Sequence, residues 1–197
     1  MIPLIGPGGA GKSTVGALVA ERLGLPFVDL DRHFSGRVGD ISEYIRRHGY
    51  DAYARENVEA YCSLFREGTR SEVVALSSGF MTYASEIHPE YGRMRREIEQ
   101  WPQTFVLLPS LDRELCVAET VRRQVSRPFG RSPEREEAVI RTRFEIYMAL
   151  SIRKVETMRP PAAIVNEILP ALSRADHDPL VRLEPFVLRT PKRDIDP

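Results

Sequence analysis

The sequence predicts an α/β fold: a parallel sheet with helices on both faces. Short apolar runs recur along the chain with helix-like segments between them, and the first run passes into the first helix through a glycine-rich loop. Parallel strands need crossover connections, and an intervening helix supplies one. The chain has 197 residues, 42% hydrophobic and 28% charged, which fits one soluble globular domain. That domain is expected over residues 1–173, followed by a proline-rich, extended tail over 174–197.

The elements follow in order. Ile2–Ile5 is an apolar run that stops at Gly6, and from Lys12 apolar residues recur at Val15, Leu18, Val19 and Leu23, the spacing of one helix face. Gly24 ends that helix and Pro26 bars its continuation. Phe27–Asp31 reads as a second strand; Asp29 and Asp31, two residues apart on an extended segment, face the same side. Helices follow over 40–48 and 51–67, broken at Gly49, and then a buried strand, Glu72–Leu76, ends in Ser77-Ser78-Gly79. A helix over 90–100 precedes the fourth strand, Phe105–Leu108. Pro109 closes that strand, and Asp112 caps a helix carrying Leu115, Val121 and Val125. Pro128, Gly130 and Pro133 interrupt the charged stretch 122–137, whose centre reads as a mobile, solvent-facing loop. A helix over 133–151, a strand near Val155 and a closing helix over 162–172 complete the domain; Ile164, Val165, Ile168, Leu169 and Leu172 share one face of the last.

Composition excludes several classes of function. Lys and Arg (28) balance Asp and Glu (28), which argues against a general nucleic-acid or acidic-membrane surface. No apolar run approaches the roughly 20 residues that span a bilayer, and without a charged n-region or an h-region around Ile2–Ile5 no signal peptide is expected. Cys62 and Cys116 lack a CxxC or histidine partner, so neither a disulfide framework nor a zinc site is expected, and a reducing, cytoplasmic setting fits. His33, His48, His88 and His177 lack ligand spacing and are read as surface or satisfied polar groups. Arg122, Arg123 and Arg131 are read as a solvated charged face, and Trp101 as packing. A monomer is expected.

Residues Gly6 to Ser13 satisfy GxxxxGK[ST] between a strand and an amphipathic helix, the setting in which that motif binds phosphate. Glycines let successive amides turn inward around a phosphate, and the helix N-terminus adds positive potential at the same place. Gly8, Gly9, Ala10, Gly11, Lys12, Ser13 and Thr14 are therefore the candidate nucleotide-binding residues. Lys12 is placed to neutralise the β- and γ-phosphates and Ser13 to ligate Mg²⁺. Only Lys12, Lys154 and Lys192 are lysines in an arginine-rich chain, so a lysine in this loop is not surface filler. Asp29 and Asp31 suit a phosphoryl-transfer site, one carboxylate near the metal and the other on the acceptor hydroxyl.

These residues resemble the shikimate kinase family. The likeness runs from Ile2 to about Leu172 and rests on the glycine-rich loop, on Phe27-Val28-Asp29-Leu30-Asp31 as F-x-D-x-D, on Arg127-Pro128, and on Arg143 followed four residues later by Tyr147. The resemblance implies a P-loop NTPase with a five-stranded parallel sheet in the nucleoside-monophosphate-kinase arrangement. It implies a lid over about 122–135, a substrate-binding region over about 32–66, and transfer of the ATP γ-phosphate to the 3-hydroxyl of shikimate. By the same likeness Asp31 faces the acceptor hydroxyl, Asp29 the magnesium, Arg143 the substrate carboxylate, and Arg127 the transferred phosphate. Arg55, Ser78 and Gly79 complete the expected substrate contacts.

Two departures stand out. Where the family has G-E-x-x-F-R-x-x-E, alignment on Gly49 and Tyr53 places Ala54 at the arginine and Asn57 at the glutamate, with Arg55 displaced by one position. One position on a helix turns a side chain by roughly 100°. Where the family has three glycines, this chain has Ser77-Ser78-Gly79. Two alternatives therefore stay open: a related P-loop kinase for another hydroxylated, anionic metabolite, and a nucleotide- or metabolite-sensing module that keeps the fold without the reaction.

Overall fold

The computed structural model describes residues 1–66, 72–125 and 132–176. Five strands, β1 (Ile2–Ile5), β2 (Phe27–Asp29), β3 (Val73–Ala75), β4 (Phe105–Leu108) and β5 (Arg153–Glu156), form one sheet in the order β2-β3-β1-β4-β5. Every pairing is parallel, with Ile2 opposite Val73, Asp29 opposite Ala75 and Leu4 opposite Phe105. The strand and helix spacing predicts the parallel α/β sheet, and the family resemblance implies its five strands.

Alternation along the strands divides the apolar residues between two cores. Leu4, Val73, Phe105, Leu107 and Val155 pack on one face with α1 (Lys12–Leu23) and α8 (Pro161–Asp176), through Val15, Val19, Ile164, Val165, Ile168 and Leu172. Ile5, Val74, Val106 and Leu108 pack on the other, beneath α2 (Leu30–Val38), α4 (Tyr50–Arg66), α5 (Tyr91–Gln100) and α7 (Pro133–Ala149). The remaining helices are α3 (Ile41–His48) and α6 (Arg113–Val125). Among the described residues no helix is long and apolar enough to cross a membrane.

Two elements differ from expectation. The second strand ends at Asp29, and Leu30 opens α2 at once, so Asp31 lies in the first turn of a helix rather than on an extended segment. Asp29 causes the change of direction: its Oδ1 accepts from the Asp31 and Arg32 amides at 3.1 and 3.2 Å, the bonds of an N-cap. In α6 the buried residues are Cys116, Val117 and Thr120, whereas Leu115 is exposed. Asp112 does cap this helix, accepting from the Leu115 amide at 2.9 Å. The centre of the expected lid, residues 126–131, and the tail from 177 onward lie outside the described residues.

Because all strands run the same way, their carboxyl ends share one edge of the sheet. That edge carries the loop after β1, the Asp29 cap after β2, and Ser77-Ser78-Gly79 after β3. A parallel sheet binds its ligands at this edge.

Candidate active site

In the loop after β1, Gly9 and Gly11 hold φ of +78° and +88°. A side chain disfavours this left-handed region, and alternating into it is how a backbone wraps its amides around an anion. Gly11 N-caps α1, so the loop delivers the helix's positive end to the same place. Lys12 is 9% exposed. Its Nζ spans the loop, donating to the Gly6 and Pro7 carbonyls at 2.8 and 2.9 Å. Ser13 Oγ donates to Asp29 Oδ2 at 2.5 Å. Asp29 thus serves two elements at once, with one oxygen on the α2 cap and the other on the hydroxyl that follows Lys12.

Arg123 of α6 closes the loop from the far side. Its Nη1 donates to the Gly9 carbonyl at 3.0 Å and Nη2 to the Thr157 carbonyl at 3.3 Å, while Nε pairs with Glu119. Arg122, its neighbour, is mostly exposed and pairs with the same glutamate. Together they hold the Glu119 carboxyl down at about 2, Arg122 more strongly than Arg123. The expected solvated face therefore describes Arg122, whereas Arg123 is tied to the nucleotide loop; adjacent positions on a helix point about 100° apart.

On the other side of the loop, Asp31 Oδ1 accepts from Ser77 Oγ at 2.5 Å. Ser77 in turn accepts from Asn57 Nδ2 at 3.0 Å, and Asn57 Oδ1 accepts from the Tyr83 hydroxyl at 3.1 Å. Helix α7 fixes the next residue from two turns of one face: Arg143 Nη1 donates to Ser78 Oγ at 3.1 Å and the Tyr147 hydroxyl to the Ser78 carbonyl at 3.0 Å. Arg143 Nη2 also donates to the Tyr50 hydroxyl at 3.2 Å. Burial, then the nearby Asp31 carboxylate, pushes the Tyr53 hydroxyl well above its ordinary range. Burial does the same to Tyr83 and Tyr147. All three stay protonated donors at neutral pH.

These parts enclose a cavity of about 950 Å³. Gly8, Gly9, Gly11, Lys12, Ser13 and Thr14 line one end; Asp29 and Asp31 line its wall, and Ser78, Gly79, Tyr50 and Arg143 the other end. Ala10 is fully buried in the core below the loop and does not line the cavity.

Arg55 is not brought to this cavity. It is exposed on α4 and its Nε donates to the Ile87 carbonyl at 3.2 Å, the consequence of its one-position displacement along the helix. Ala54 and Asn57 are buried instead, and Asn57 ties α4 to the loop after β3. Arg127 lies outside the described residues. His33 pairs with Ser63 at 2.8 Å and His88 with Glu59 at 2.9 Å, both away from the cavity lining. Trp101 Nε1 donates to the Met1 carbonyl at 2.8 Å. Sequence reasoning missed Arg123, Tyr50 and the Ser77–Asn57–Tyr83 chain. Only the unusual serine and asparagine at otherwise patterned positions signalled the last of these.

A family model described as shikimate kinase matches residues 8–173. Shikimate kinase of Rhizobium meliloti is 31% identical over 178 residues, 88% of this chain and 84% of its own. Shikimate kinase of Persephonella marina is 31% identical over 169 residues, 85% of this chain and 96% of its own. The solved structure of shikimate kinase from Acinetobacter baumannii in complex with shikimate shares the fold, with a TM-score of 0.65 at 23% identity, covering 87% of this chain and 92% of that one. Sequence match, sheet order and loop geometry converge: the chain belongs to the shikimate kinase family, ATP-dependent phosphotransferases with an alcohol group as acceptor.

Proposed function

We propose that the chain transfers the γ-phosphate of ATP to the 3-hydroxyl of shikimate, with Asp31 facing that hydroxyl and Arg143 the ring carboxylate. One observation carries the reading: Asp31 and Arg143 line the same cavity as Lys12 and Ser13. Positioning and charge neutralisation supply most of the catalysis in phosphoryl transfer. Lys12 and the loop amides hold the phosphates, Asp31 orients the acceptor oxygen and takes its proton, and Arg127, matched through the family pattern, offsets charge on the transferred group.

The donor set fits Mg²⁺. Ser13 Oγ and Asp29 Oδ2 are hard oxygens 2.5 Å apart beside the phosphate loop. Mg²⁺ in such sites takes one or two protein oxygens and completes its shell with phosphate and water. When bound there, it neutralises charge on the β- and γ-phosphates.

An ADP-release assay with shikimate tests the reading. Turnover on the order of 1–100 s⁻¹ is expected; tight ATP binding with no shikimate-dependent ADP overturns it. The position of Arg55 favours a second reading, a related hydroxylated acid as acceptor. One charge-assisted arm contributes about 1.5–3 kcal/mol, and here Arg143 is joined by Tyr50 rather than by Arg55. A panel of hydroxy acids in the same assay separates the two, and transfer to none of them, with ATP bound, identifies a sensing module.

Gly79 provides a second test. A Cβ there would lie 2.5 Å from the Tyr50 hydroxyl, 2.9 Å from Arg143 Nη2 and 3.2 Å from the Tyr83 ring. Two of these neighbours are the free ends of long side chains, so Gly79→Ala displaces Arg143 rather than unfolding the chain. KM for the acceptor is expected to rise about tenfold or more, the equivalent of one charge-assisted hydrogen bond, while KM for ATP holds. Steady-state kinetics with each substrate varied in turn checks this; an unchanged acceptor KM removes Arg143 from the acceptor site.

A further inference from the structure

We infer that Ser77, Asn57 and Tyr83 form a one-way chain of hydrogen-bond donors that fixes the rotamer of Asp31, making them positioning residues that set kcat without touching either substrate. This rests on the reading of Asp31 as the group that faces the acceptor hydroxyl.

The direction of the chain is forced by its charged end. An ionised carboxylate only accepts, so Ser77 must give its single proton to Asp31 Oδ1, 2.5 Å away. The Ser77 oxygen is then left to accept, which turns the Asn57 amide nitrogen toward it at 3.0 Å. That choice places Asn57 Oδ1 toward Tyr83, which must donate across 3.1 Å. Each link has one consistent orientation, and the negative charge at the end selects it. The links span 46, 20 and 26 residues of sequence. Helix α2, the loop after β3, helix α4 and the turn after Phe80–Thr82 are thereby tied to one carboxylate.

The network is closed to solvent: Asn57 is 0% exposed, Ser77 1% and Tyr83 5%. None of the three lines the cavity, whereas Asp31 does. Water therefore does not compete for Asp31 Oδ1 from the side of Ser77, and the carboxylate meets the acceptor from the cavity that Asp31 lines. The chain is not a proton wire, because an amide sits in its middle and cannot pass a proton on at neutral pH. When the acceptor oxygen bonds to phosphorus and the bond to the ADP oxygen breaks, the acceptor proton goes to Asp31 and no further along this route. What the network supplies is geometry, and a misplacement of about 1 Å at a reacting group can cost on the order of 100-fold in rate.

The test uses Ser77→Ala, Tyr83→Phe and the double variant in the full-length protein. Ser77→Ala should lower kcat roughly 10- to 100-fold, with KM for ATP unchanged, and Tyr83→Phe should lower it less. The double variant should lose less than the product of the two single losses, because the Asn57 link from Tyr83 to Asp31 already runs through Ser77. A merely structural role predicts independent losses that multiply; that outcome, or wild-type kcat in Ser77→Ala, overturns the inference. An acceptor-free measurement covers poor folding or an unidentified acceptor. The Asn57 side-chain amide resonance of the folded protein should move in Asp31→Ala, which leaves Ser77 without this acceptor, and an unmoved resonance overturns the chain. Absence of any phosphoryl transfer by the wild type would instead count against the proposed reaction, leaving the amide measurement to decide this point.

Discussion

Lys12→Ala is expected to lower kcat/KM for phosphoryl transfer by about 10²- to 10³-fold, the loss that follows removal of one preorganised charge-stabilising donor, or about 2.7–4 kcal/mol. The side chain is buried along the loop, and its ammonium already lies within 2.9 Å of two loop carbonyls, so little conformational freedom remains to be lost when phosphates arrive. In the proposed reaction its charge sits where negative charge accumulates during transfer. Alanine removes that charge and also frees the Gly6 and Pro7 carbonyls. Titration calorimetry with ATP and magnesium should show weakened binding, while thermal unfolding moves by only a few degrees, because the β1 and α1 cores do not depend on the ammonium. Undiminished turnover in this variant would remove the loop from the reaction.

The legible parts of the molecule were those in which pattern and local chemistry agree. β1, the glycine loop and α1 combine an apolar run, positive-φ glycines and a periodic face within 23 residues, and the structure has each of them. Helix α2 was hidden because its nine residues bury only Leu30 and Phe34 among charged neighbours, too few to show a period. The side chain that starts it, Asp29, reads equally well as a strand end. In α6 the buried positions include Cys116 and Thr120, small polar-capable residues that an apolar search passes over in favour of Leu115. Arg123 and Arg122 look alike in sequence, and only the position of Gly9 separates them. The chain behind Asp31 joins residues 20 to 46 positions apart, and no local pattern encodes such a meeting. Arg55 shows the converse: its charge made it a candidate, and helical rotation took it away.

Asp31→Asn is expected to reduce kcat by about 10²- to 10⁴-fold, the usual contribution of a positioned general base, with the Kd for ATP essentially unchanged. The substitution isolates charge from shape. Asparagine keeps the volume, and its carbonyl oxygen can still accept from Ser77, so the support behind the residue survives. The Ser13–Asp29 pair and the Lys12 contacts belong to other side chains and should hold the nucleotide as before. What disappears is the oxygen that receives the acceptor's proton in the proposed reaction. Lys12→Ala weakens nucleotide binding along with turnover, whereas Asp31→Asn should separate the two, and that difference distinguishes a group acting on the acceptor from one acting on ATP. Parallel calorimetry and ADP-release measurements on the two variants decide the matter. Equal losses of ATP affinity would move Asp31 to the nucleotide side of the cavity, and unaltered turnover would mean that the acceptor proton leaves by another path.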